Sequence, residues 1–335
     1  MDCNSAAIIL VKAAHVSLDL GGNMLDGLAG TCAVGVSIVA DHVRVFNGAV
    51  QDCGDGVIVG GHRDTIEKVT IPVGSSYAID VTQTGDVVRD CQITSGVVGI
   101  YSNLGGTTIT GNAVSNETQA GIQQGGNVRE VITRNTIAHN VEGIVAGPAT
   151  ITRNTIVGNS DYGIFGGSGG RITRNHIIGN EAGGISVNSA MIAHNVISQN
   201  HGVGVLARGG GSSPPRITGN VISGNATRGI DATSPVVITR NMTRGNGLSG
   251  IVVSNVGPIT DTTIAQNNSS QNDGDGIFLA SLVGSPVTTK VFRNTTNGNS
   301  LKGIEITGPT APVGARTNRA KGNASTPQCD LGMCR

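Results

Sequence analysis

The chain has 335 residues, of which 52 are glycine, 2 % are aromatic and none is tryptophan. Single cores stop growing near ~250–300 residues and usually lean on aromatic burial, so one compact aromatic-cored globule is excluded. Lysine plus arginine and aspartate plus glutamate balance at 22 each, which leaves no whole-molecule field to attract nucleic acid or an anionic membrane.

The opening MDCNSAAIIL lacks the basic start and long apolar stretch of a leader peptide. No apolar run is long enough for a membrane-spanning helix. Six cysteines point to an oxidising compartment, so the expected location is secreted, periplasmic or cell-surface, with any leader already removed. Cys32 and Cys53 each lie four residues before a repeat anchor, Val36 and Val57. Stacked coils bring such positions to about 4.8 Å, within the reach of a disulfide, and that bond is predicted. Cys3 and Cys91 have no evident partner.

From residue 132 onward one sentence keeps returning: ITRNTIAHNVEGI (132–144), ITRNTIVGNSDYGI (151–164), ITRNHIIGNEAGGI (172–185), IAHNVISQNHGVGV (192–205). Further copies end at Ile230, Ile251, Ile277 and Ile304, and fainter ones at Val36, Val57, Ile79, Ile100 and Ile122. Anchors mostly 20 to 22 residues apart fit a coil of three short strands, each pairing in parallel with its copy one coil on. The predicted fold is all-β, a single-stranded right-handed parallel β-helix of about thirteen coils. It spans residues 1–326, and a tail at 327–335 is clasped by Cys329 and Cys334. Twelve gaps of about 4.8 Å give a length on the order of 58 Å.

Two asparagine positions recur, one from Asn112 to Asn294 and one from Asn140 to Asn299. The first is expected at a bend, where asparagine tolerates the left-handed conformation, with amides bonding from coil to coil. The glycine before each anchor is expected to form another bend. The sequons beginning at Asn225, Asn241, Asn267 and Asn294 fall on these positions and read as structural.

Stacking turns equivalent residues into columns. Arg134, Arg153 and Arg174 precede the first asparagine of successive coils, a stripe suited to gripping carboxylates or sulfates bidentately, or equally a solvated edge. Glu142, Asp161, Glu181 and His201, with His139 nearby, fall in the bend before Gly-Ile, and Tyr162 offers a ring there. Paired carboxylates can serve as acid and base on a sugar or hold Ca²⁺. Asp80, Asp231 and Glu305 share the position after the anchor but are separated along the chain. Asp273 and Asp275 in NDGDGI look like a calcium turn without the acidic residue that would complete one, and no dedicated metal-ligand set stands out.

The repeat resembles that of pectate-lyase-like proteins over nearly the whole chain, and HVSLDLGGNMLDG (15–27) resembles the first coil of NosD-like β-helix proteins. The resemblance implies the fold, and it implies company that includes polysaccharide lyases, uronan epimerases, glycosidases and phage tailspikes. A copper-accessory role would want clustered methionine, cysteine or histidine, whereas Met24, Met191, Met242 and Met333 are scattered. The expected function is recognition or processing of an acidic polysaccharide, lyase- or epimerase-like. The catalytic candidates are Glu142, Asp161, Glu181, His139 and His201; the binding candidates are Arg134, Arg153, Arg174 and Tyr162. A non-catalytic adhesion or spacer solenoid is the alternative, and ice binding on the column from Thr110 to Thr239 a remote one. An uncapped first coil would also invite self-association.

Overall fold

The computed structural model describes residues 7–28, 32–73, 76–166, 169–209, 213–255, 261–281, 289–307 and 317–334. Cys3 lies outside them. The described residues wind into about twelve turns of parallel β-helix, close to the thirteen anchors counted in the sequence. They group into two units, the first reaching Ser160 with Ile164–Gly166, the second comprising Asp161–Gly163 and the chain from Gly167.

In the first unit the anchor strands Cys32–Ile38, Cys53–Val59, Tyr77–Val81, Val98–Ser102, Ala120–Gln124 and Glu142–Ala146 follow one another in one parallel sheet. Their register sets Val36, Val57, Ile79, Ile100, Ile122 and Ile144 directly in line, all fully buried. Two further strands per coil add the interior rows Ile109–Ile132–Ile151 and Val114–Ile137–Ile156. In the second unit Ile185, Val205, Ile230, Ile251, Ile277 and Ile304 form the equivalent anchor row. Each buried isoleucine or valine contributes roughly 1.5–3 kcal/mol, which is how an interior without aromatic rings stays stable.

The asparagine ladders form as the spacing predicts, with a different division of labour. The Asn135 side-chain carbonyl accepts from the Asn112 backbone and amide at 2.9 and 3.0 Å, and Asn154 does the same for Asn135. The second unit repeats the pattern from Asn175 to Asn318 and from Asn180 to Asn323. The ladder asparagines are buried, sequon positions included. The left-handed bend falls on the residue before: φ is 57° at Arg134, Arg153, Arg174, His194 and His139. Burying the amide in the stack requires the preceding residue to turn the corner, so the expected left-handed asparagine is corrected to its neighbour.

The glycine before the anchor lies inside its strand in the coils up to Gly204, and forms the expected bend ahead of the strand at Gly229, Gly250, Gly276 and Gly303. Gly99 lies inside its strand, and a Cβ there would sit 2.3 Å from Val114 Cγ1 and 2.6 Å from the Gly121 carbonyl. At Gly99 glycine is therefore needed for close approach between coils. Cys32 and Cys53 pair in register as expected, but their sulfurs stand 2.7 Å apart in a thiol contact without a covalent bond.

The tail closes the ladders. Cys329 and Cys334 are joined, Gln328 Oε1 accepts from the Asn323 backbone and amide at 2.9 and 2.8 Å, and Asn318 donates to the Met333 carbonyl at 2.9 Å. Met333 is buried there.

Candidate functional site

Two rows flanking the anchors of the first unit are half-buried, except at Val98, which is buried. The row two before the anchor reads Val34, Asp55, Tyr77, Val98, and the row one after it reads Ser37, Ile58, Asp80, Tyr101, Gln123. On neighbouring strands this register gathers Asp55, Tyr77, Asp80 and Tyr101. The rings of Tyr77 and Tyr101 stack with centroids 4.8 Å apart and planes 22° from parallel. Two of the chain's three tyrosines thus form one half-exposed aromatic surface.

The carboxylates beside it are perturbed. Burial pushes Asp80 up to about 6, the charge of Asp55 adding to the effect, and its buried Oδ1 has no hydrogen-bond partner. Burial also raises Asp55, against the pull of the Tyr77 N–H that its Oδ1 accepts at 3.1 Å. The Tyr101 phenol is raised by burial, then by Tyr77 and Asp80. Near neutrality Asp80 therefore exists in both protonation states, which suits a general acid, while Asp55 is placed to accept. A stacked ring surface flanked by such a pair can seat a sugar and move a proton on it.

Column arithmetic carried further reaches this cluster, because Asp55 and Tyr77 share one offset from successive anchors and Asp80 and Tyr101 another. In the linear sequence Asp80 lines up with Asp231 and Glu305 of its own row, whereas Asp55 and Tyr77 come beside it only through the register of the sheet.

The residues expected from the sequence occupy other places. His139 and Glu142 lie in the first unit and Asp161, Glu181 and His201 in the second. His139 is an exposed bend residue, and half-buried Glu142 opens its strand opposite Ala120. Exposed Glu181 and His201 do meet, Nδ1 to Oε2 at 2.6 Å, a solvated pair of small energetic weight. Tyr162 covers Gly183, where a Cβ would come within 2.8 Å of the ring. Arg134, Arg153 and Arg174 are exposed at their bends. Arg89, by contrast, binds buried Glu67 together with Arg44, and Asp90 takes the bend in that coil. Among the described residues no three histidine, cysteine or acidic side chains converge as a metal set, and no helix is long and apolar enough to cross a membrane.

A family model described as right handed beta helix region matches residues 34–191 and 171–320. No curated protein matches the sequence. Among solved structures, the Dettilon tailspike protein superposes with a TM-score of 0.51 at 18 % identity, over 87 % of this chain and 61 % of that one. A double mutant of the tailspike of E. coli bacteriophage HK620, in complex with a pentasaccharide, gives 0.55 at 10 % identity, over 90 % and 67 %. The chain thus spans about three fifths of the Dettilon protein, and at these identities the likeness is one of fold.

Proposed function

The chain belongs to the right handed beta helix family, and on that premise we propose that it is an exported protein that recognises a polysaccharide on the anchor-sheet face of its first unit. The observation that carries this reading is the Tyr77–Tyr101 stack beside two carboxylates of raised pKa. Aromatic faces seat sugar rings through their apolar sides, and perturbed acids cluster where chemistry is done. The pentasaccharide held by the HK620 tailspike supports the ligand class. Asp80 is then the group to donate a proton and Asp55 the one to receive it. Retention of the protein on a panel of immobilised polysaccharides, with product analysis, tests the proposal. Tyr101→Ala should lose at least tenfold in affinity, and Asp80→Asn should keep binding while losing any turnover. Retention that is indifferent to Tyr101 would refute the site.

One observation favours a second surface for acidic polysaccharides, with lyase or epimerase chemistry its extension. Arg134 and Arg153 hold left-handed backbone, which glycine adopts at lower cost, and Gly111 does so in a neighbouring coil. A strained position that keeps a long basic side chain points to a use for that side chain.

A further inference from the structure

We infer that the ligand of the tyrosine face is an uncharged glycan segment, an assignment that rests on that face being the binding site. In the first unit the two outward rows of the anchor sheet carry Asp55, Asp80 and Glu142 and, among the described residues, no lysine or arginine. The charge bearing on Asp80 is that of Asp55, and Tyr101 feels Asp80. Among the described residues no cation bears on either acid.

A uronate or sulfate laid on the Tyr77–Tyr101 rings would meet like charges on a half-buried surface, where screening is weaker than in bulk water. A neutral sugar meets apolar ring faces and carboxylate oxygens that accept its hydroxyl protons. The unpartnered Asp80 Oδ1 supplies one such acceptor, and the carboxyl's protonated form supplies a donor as well. A calcium bridge would need six to eight oxygen ligands, of which this face offers two nearby carboxylates. The basic bends at Arg134 and Arg153 are not part of either outward row, so they do not neutralise it.

The test is an oligosaccharide array that includes neutral, uronate-bearing and sulfated chains. It is read with the wild type, Tyr101→Ala and Arg153→Ala, with and without Ca²⁺ and at two salt concentrations. Signals abolished by Tyr101→Ala define what this face binds. Those ligands should be neutral, insensitive to salt and unchanged by Arg153→Ala. Tyrosine-dependent signals on uronates or sulfates, Ca²⁺-dependent or not, would overturn the neutral assignment and leave the site standing. If no signal depends on Tyr101, the site itself falls, and with it the assignment.

Discussion

Asn220 shows how much one ladder residue holds. Its carbonyl accepts from the Asn195 backbone and amide at 2.9 Å each, and its own amide reaches the Ile192 carbonyl at 3.0 Å and Asn241 Oδ1 at 2.9 Å. Truncation to alanine removes the acceptor of the buried Asn195 N–H and the amide donor to the Ile192 carbonyl, while the Asn195 amide keeps the Ile172 carbonyl at 2.9 Å. A buried group left unsatisfied costs ~1–3 kcal/mol, so Asn220→Ala should lose roughly 2–4 kcal/mol, read as a lower denaturant midpoint. A loss below 1 kcal/mol would mean that water enters the stack. The ladder was legible because one residue type recurred at one spacing. The backbone around it was less so: glycine serves both bends and close approaches, and a string of letters does not say which. Gly99 and Gly158 look alike in sequence, yet only Gly158 has a positive φ, 63°.

Within the coil, the bend residue is where stability and use of a side chain come apart. Arg153 sits at φ 57°, and the left-handed region costs a residue with a Cβ ~1 kcal/mol that glycine avoids. Arg153→Gly should therefore keep the unfolding midpoint or raise it slightly, while weakening any salt-sensitive binding of polygalacturonate severalfold. A clear loss of stability would make the arginine structural and remove the case for an anionic surface. The strands themselves were predictable from their apolar rows. The tyrosine face was harder to see because it is assembled from two rows and three coils, Asp55 beside Tyr77 and Asp80 beside Tyr101. Reading one column at a time separates residues that the sheet brings together, and a two-dimensional register was needed to join them.

For the molecule as a whole, formal neutrality at pH 7 conceals acids kept inside, and these set how stability depends on pH. In the first unit Glu130 is fully buried with neither carboxylate oxygen hydrogen-bonded in good geometry, and burial pushes it up to about 8. Glu117 stands where the second ladder has asparagine, accepting from Gly96 at 2.7 Å with its other oxygen unpartnered; burial raises it to about 7. Asp86, bonded to the Asp64 N–H at 2.8 Å, is raised to about 6, by burial first. Each folded carboxyl holds a proton that the unfolded chain releases near pH 4, so the folded state binds more protons and stability falls as pH rises. The contribution is complete below about pH 4 and is lost progressively up to about pH 8. Glu67 works the other way. Burial opposes its ionisation, but Arg44 and Arg89 outweigh that and lower its pKa, so its share is lost on acidification. Thermal unfolding should accordingly show a midpoint that declines from pH 5 to pH 9, a trend opposite to ordinary acid denaturation. Glu130→Gln removes the titrating group while keeping nearly its shape. It should match the wild type at pH 5 and exceed it at pH 9, by an amount on the order of a few kcal/mol. Parallel pH curves for the two proteins would show that Glu130 is solvated or paired, and that the interior acids do not govern the stability of this unit.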